Sequence, residues 1–195
     1  MNPLLLMACL AIGLASCKSE YQQYVDRELA SGISQDSLIF DMHIGQTKKD
    51  FFAICWELNR QQEIAQGTGN QNARYYTDKD SLGNMTPKSK DMLFYGIFDE
   101  EDIMRGMDMT YTFVSWAPWN RNMQPDSLLV HLRDEYERGY PGNDFIEIDF
   151  EASELPALVK IDGNRQILMF AKGQREVVVK IEDLHHKLNK EWKEK

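Results

Sequence analysis

"KIDGNRQIL", residues Lys160–Leu168, decides how this chain folds. Asp162-Gly163-Asn164-Arg165 has the composition of a tight turn, and residues on both sides of it alternate in polarity. With that turn, Ile161 faces Gln166, Val159 faces Leu168 and Ala157 faces Phe170. Apolar residues then meet on one side of an antiparallel pair. Lys172-Gly173-Gln174 turns the chain again, so three strands are expected near Pro156–Ile161, Gln166–Ala171 and Glu176–Ile181. A helix over about Glu182–Trp192 should close the domain with Leu184 and Leu188 inward.

Upstream the pattern repeats in outline. "PDSLLVHLRDEYERGYP" places Pro125 in a first turn, and Leu128, Leu129, Leu132 and Tyr136 on one stripe. Gly139 and Pro141 end that helix, and a further strand is expected at Asp144–Phe150. Before it, "SLIFDMHIGQTKKDFF" changes period. Leu38, Phe40, Met42 and Ile44 alternate like a strand, and after Gly45 the spacing becomes helical, with Thr47 and Asp50 placed as a capping box. That helix should run from Lys48 to about Ala65 and stop at Gly67. Strands follow at Ala73–Thr77, Met92–Phe98 and Met109–Trp116. Helix then strands, twice over, describes an α+β domain with an antiparallel sheet backed by helices. The expected domain spans residues 38–195, in two similar halves at about 38–120 and 121–195.

The composition supports a buried core: 43% of residues are hydrophobic and 27% charged, with a net charge of −9. An acidic surface repels phosphate backbones, which argues against nucleic acid as a partner.

The N-terminus carries a different signal. From Leu4 to Ala15 no residue is charged. Twelve helical residues reach only about 18 Å, short of a hydrocarbon core of ~30 Å. The length suits the apolar region of a secretory signal peptide. It ends in Leu14-Ala15-Ser16-Cys17, which resembles the lipobox of bacterial lipoprotein precursors. The resemblance implies cleavage after residue 16 and a diacylglyceryl thioether on Cys17. Lys18, rather than Asp, follows that cysteine, which by the sorting rule for such proteins implies the outer membrane. Residues 17–37 would then be the lipidated cysteine and a polar tether, although Tyr21, Tyr24, Val25 and Leu29 could form a short helix.

The cysteine count follows. Cys9 leaves with the signal peptide and Cys17 is consumed by lipid, so Cys55 is the one free thiol expected in the mature chain. It lies in "DFFAICWELN", where Phe51, Ile54, Cys55 and Leu58 share a helical face. That favours a small buried hydrophobe over a nucleophile.

No familiar active-site motif is present: G-x-S-x-G, H-E-x-x-H and C-x-x-C are all missing. "GTGNQN" follows a helix and lacks a third glycine, so it reads as a loop. Asp78, Asp80 and Gly83 begin a calcium loop, but Leu82 and Ser89 occupy the fifth and twelfth positions, where oxygen ligands are required. Asp99–Asp102 reads as a solvated turn. His131 with Asp134 or Glu135 has metal-ligand spacing on one helix face, which ordinary charged faces also produce. No metal and no cofactor are expected.

Gly45-Gln46-Thr47-Lys48-Lys49-Asp50-Phe51 resembles the strand-to-helix entry of small outer-membrane lipoproteins of the BamE/SmpA type, with Gln46 where methionine is usual. The same entry occurs in two-layer domains that include the β-lactamase-inhibitor-protein fold. The resemblance implies a lipid-anchored, noncatalytic, protein-contacting class. The leading expectation is therefore a binding or scaffolding module whose partner is another envelope protein. The alternatives are an envelope hydrolase with an unrecognised site and a small-molecule-binding lipoprotein.

The candidate contact is "VSWAPWNRNMQP". Trp116 and Trp119 flank Ala117-Pro118, and Asn120, Arg121 and Asn122 place polar groups beside the rings. Tryptophan and arginine are enriched where binding energy concentrates. Either ring could instead tuck back over the sheet edge.

Overall fold

The computed structural model describes residues 18–70 and 72–193. Cys17, the rest of the lipobox and the signal segment lie outside the described residues.

Among the described residues, four α-helices and eight strands form the domain: α1 (Glu20–Ala30), α2 (Lys48–Arg60), β1 (Ala65–Gln66), β2 (Ala73–Thr77), β3 (Lys90–Phe98), β4 (Met104–Phe113), α3 (Pro125–Gly139), β5 (Ile146–Ile148), β6 (Ala157–Asp162), β7 (Arg165–Lys172), β8 (Glu176–Asp183) and α4 (Leu184–Lys193). The strands make one sheet in the order β1-β2-β3-β4-β8-β7-β6-β5. Every pairing is antiparallel. The chain is thus an α+β domain in which a helix followed by a four-stranded meander occurs twice. The last strands of the two meanders, β4 and β8, pair at the centre.

That central seam depends on a close approach at Gly106. A Cβ there would lie 2.1 Å from the carbonyl oxygen of Ile181, so no other residue fits without moving β8. The seam runs from Gly106 opposite Glu182 to Tyr111 opposite Val177.

Alternation along the strands divides the core in two. On one face α2 and α3 bring Phe51, Leu128, Leu132 and Tyr136 onto Met92, Phe94, Met109, Tyr111, Ile167, Met169 and Val179. On the other, α1 and α4 bring Tyr24, Val25 and Leu184 onto Val159, Ile161, Leu168, Phe170 and Val178. β6 and most of β7 are buried on both faces, which explains their unbroken burial. Emptying a core aromatic site such as Phe51, 2% exposed, would cost about 3–5 kcal/mol.

The 160–168 hairpin has the expected pairing, Ile161 with Gln166 and Val159 with Leu168. The turn is the expected one: Asp162 pairs with Arg165, and Gly163-Asn164 are the two central residues between them. Gly163 takes φ +59°, and a Cβ there would meet the carbonyl oxygen of Ile33.

Several boundaries differ from expectation. Residues 20–30, expected as tether, form α1, with a full capping box between Ser19 and Gln22. Tyr24 and Val25 are each only 5% exposed, so the helix is docked on the sheet. Leu38–Ile44 is not a strand: Ile39–Asp41 is a 3-10 turn with Phe40 and Asp41 at positive φ. Leu38 and Met42 are still buried, because the turn closes on itself through a Leu38 N–H to Met42 carbonyl bond of 2.8 Å.

α2 stops at Arg60, well short of Gly67. Gln62 takes φ +62°, Gln62 N–H bonds the Asn59 carbonyl and Glu63 N–H bonds the Leu58 carbonyl. That is a Schellman stop built on a non-glycine residue, which leaves Ala65–Gln66 free to form β1. Only half of the capping box forms at its other end. Thr47 Oγ1 accepts from Asp50 N–H at 3.1 Å, while the Asp50 carboxylate takes the Thr47 hydroxyl at 2.7 Å. β4 begins at Met104, not Met109, because Arg105 and Asp108 are strand residues, with partners in Asp99 and Lys180 respectively. β5 is shorter than expected, and α4 starts two residues later.

Candidate functional site

The Trp116–Arg121 loop joins β4 to α3 at one end of the sheet. Its backbone is held from within. Asn120 N–H bonds the Ala117 carbonyl at 2.9 Å, and the Gln124 amide donates to the carbonyls of Ala117 (2.8 Å) and Asn120 (2.7 Å). At its base the Trp116 indole N–H donates to the Gln174 carbonyl at 2.9 Å, and the Arg175 guanidinium lies 5.4 Å from the ring centroid. Trp116 is therefore pinned to the β7–β8 turn. Trp119 is not: it stands 85% exposed at the apex, with Arg121 exposed beside it. The two tryptophans, equal candidates by sequence, have different roles. A hollow of ≈ 710 Å³ beside Trp116 is lined by Pro118, Gln124, Leu155, Gly173 and Gln174.

A second surface was not legible as a site. Along α2, Phe52 and Trp56 project outward, 49% and 67% exposed. With Phe51, Cys55, Ile64 and Tyr95 they border an open groove of ≈ 890 Å³ between α2 and the β1–β2 edge. The signal for it was present: Phe52 and Trp56 are one helical turn apart but lie off the stripe of Phe51, Ile54, Cys55 and Leu58. Cys55 itself is half-buried on the groove wall, not in the deep core. Burial pushes its thiol pKa up to about 11.

The histidines and acidic residues also resolve into specific contacts. Lys90, 2% exposed, places its ammonium between Asp78 and Glu135, with Glu135 Oε1 at 2.6 Å. His131 lies at the rim of the same small hollow, edge-on to Phe113 at 5.9 Å between ring centroids. Glu135 thus turns toward Lys90, while Asp134 pairs with Arg133 at 2.9 Å. Asp80 closes its own loop by accepting from the Leu82 and Asn84 backbone and the Asn84 amide, and these bonds to Asn84, first among them, lower its pKa. Asp99 likewise organises the β3–β4 turn, accepting from Glu101 N–H, Ile103 N–H and Arg105 Nε. Among the described residues no group of three or more His, Cys, Asp or Glu side chains could hold a metal ion. No helix among them is long and apolar enough to cross a membrane.

A buried charged cluster surrounds the decisive hairpin. Lys160 and Arg165 both converge on Asp162, Arg165 stacks 4.6 Å over Tyr140, and its guanidinium donates to Ser37. These groups fasten the 33–37 segment to the turn.

The chain matches no family model, no curated protein and no solved structure.

Proposed function

We propose that this chain is a lipid-anchored protein of the cell envelope, held in the outer membrane through Cys17, that acts as a noncatalytic binding or scaffolding module for another envelope protein. The observation that carries the binding half is Trp119. A large aromatic side chain 85% exposed gains nothing from its own fold, and it stands on a loop whose backbone hydrogen bonds already fix it. Little ordering entropy remains to be lost when such a loop is captured. Trp56 and Phe52, exposed along the α2 groove, offer a second apolar surface of the same kind.

The hydrolase reading would centre on Asp78, Glu135 and His131 around Lys90. There the Lys90 ammonium occupies the space between the two carboxylates where a water or a substrate atom would have to sit. A small-molecule site would need enclosure, and the α2 groove is open along its length.

The anchor is tested by fractionation. The native protein should partition into detergent with the outer membrane, and Cys17→Ser should be recovered as soluble, uncleaved or mis-sorted precursor. Identical partitioning of the two would refute the anchor.

A further inference from the structure

The described chain begins at Lys18, and helix α1 starts two residues later, at Glu20. α1 is part of the domain. Tyr24 is buried and its hydroxyl bonds both N–H and carbonyl of Ile161 at 3.1 Å, Tyr21 bonds Gln166, and Glu28 accepts from Gly163 N–H at 3.3 Å. A flexible tether of about twenty residues would let the domain drift some 25 Å from its anchor. Here only Lys18 and Ser19 separate Cys17 from the first helical residue. At ~3.6 Å per residue, Cys17 lies within about 11 Å of it.

The place where that short connection enters decides what faces the lipid. The first turn of α1 reaches Gln166 of β7, which bonds Glu182 of β8. Glu182 in turn holds Lys187 of α4 at 2.6 Å. The entry point and α4 therefore share one face of the sheet, beside β7 and β8, and α2 and α3 occupy the other. The exposed charges of α1 are mixed, Glu20, Asp26 and Arg27, and Lys187 of α4 is held by Glu182, so the short covalent link rather than charge brings this face to the lipid. The Trp119 loop lies at the far end of the strands from the Gly163 turn, because Trp116 is bonded to the β7–β8 turn at Gln174. The eight residues of β7, roughly 26 Å long, separate those two ends.

We infer that the domain sits close against the bilayer through its α1–α4 side, so that the Trp119 loop and the α2 groove face away from the lipid. The inference rests on the lipidation of Cys17 proposed above. It replaces a loosely tethered domain by an oriented one and leaves both exposed tryptophans available to a partner from the aqueous side.

The test uses the full lipidated chain in vesicles of phosphatidylethanolamine and phosphatidylglycerol that carry a nitroxide headgroup lipid. A fluorophore is attached in a Cys55→Ser background at one position at a time: Gln23→Cys on the exposed side of α1, Trp56→Cys on α2, or Trp119→Cys. Flotation with the vesicles, and its loss in Cys17→Ser, establishes the anchor first. The expected result is quenching at position 23 several-fold stronger than at 56 or 119. Quenching at 56 or 119 equal to that at 23, in protein that floats, overturns the orientation and leaves the anchor standing. Failure of the lipidated chain to float, or equal flotation of Cys17→Ser, overturns both.

Discussion

Lys90 and Glu135 are 45 residues apart in the chain and 2.6 Å apart in space. The contact ties β3 of the first half to α3 of the second, with Asp78 on the other side of the ammonium. A lysine 2% exposed has given up most of its hydration, and the two carboxylates beside its ammonium offset that loss.

Truncating the lysine should therefore be costly. Lys90→Ala leaves two carboxylates facing each other across a small cavity, and a loss on the order of 3 kcal/mol is expected in denaturant unfolding. Lys90→Met keeps the packing and should cost less. In the proposed binding role neither substitution changes partner recovery at a temperature where the protein is folded. Loss of a hydrolytic activity in Lys90→Met would point to the rival reading.

Gly106 supplies a second test, at the seam between the halves. Gly106→Ala forces a Cβ to 2.1 Å from the Ile181 carbonyl. Either β4 and β8 separate locally or the substitution destabilises the domain by several kcal/mol, at the upper end of single-residue effects. Hydrogen exchange should quicken first along the pairs Gly106–Glu182 and Met107–Ile181.

Alkaline pH should weaken the fold. Burial raises the Cys55 thiol to about 11 and Tyr140 to about 12, and it also raises Tyr111 and Tyr136. For such groups the unfolded chain releases its protons first, so stability is complete below the unfolded values and declines as pH rises through the folded ones. Denaturant midpoints should be level near neutrality and fall above about pH 9. Cys55→Ser should flatten the part of the decline between about pH 9 and 11. In the same pH range the native thiol should react slowly with thiol reagents and rapidly once unfolded.

The anchor and the α1 cap are linked in the account, and the cap is separately testable. Ser19→Ala removes the side chain that accepts from Gln22 N–H at 3.2 Å. The expected loss is about 1 kcal/mol, visible as fraying of α1 in hydrogen exchange with no change in β7.

Much of this architecture could be read from residue order, and the failures have physical causes. The Ile161–Gln166 register followed from alternation, and α3 from its leucine stripe with Pro125 ahead of it. α2 ended early because Gln62, not a glycine, takes the left-handed conformation at its end. The expected start of β4 at Met109 leaves Arg105 and Asp108 in the charged segment before it. In the fold they are strand residues paired with Asp99 and Lys180. The tether became α1 because Tyr24 and Val25 bury against a second face of β6–β7, and that face carries no signature distinct from the first. At the site, the Trp116–Trp119 pair was visible, but which ring docks depends on Gln174, 58 residues beyond Trp116. Residue order shows Phe52 and Trp56 off the Phe51–Leu58 stripe, but the α2 groove also needs Ile64, Ala65 and Ala73 beside that helix, which residue order does not place.

The central claim, that this is a binding module whose contact includes Trp119, is tested most directly by one paired measurement. Wild type and Trp119→Ala are extracted from the same membranes, and both partner recovery and thermal unfolding are measured on each preparation. A side chain 85% exposed should be lost with a stability change within about 0.5 kcal/mol. Removal of an energetic contact worth about 1.4 kcal/mol or more should lower partner affinity about tenfold. Unchanged unfolding with sharply reduced recovery is the expected result. Undiminished recovery, or a stability loss of several kcal/mol, would contradict it.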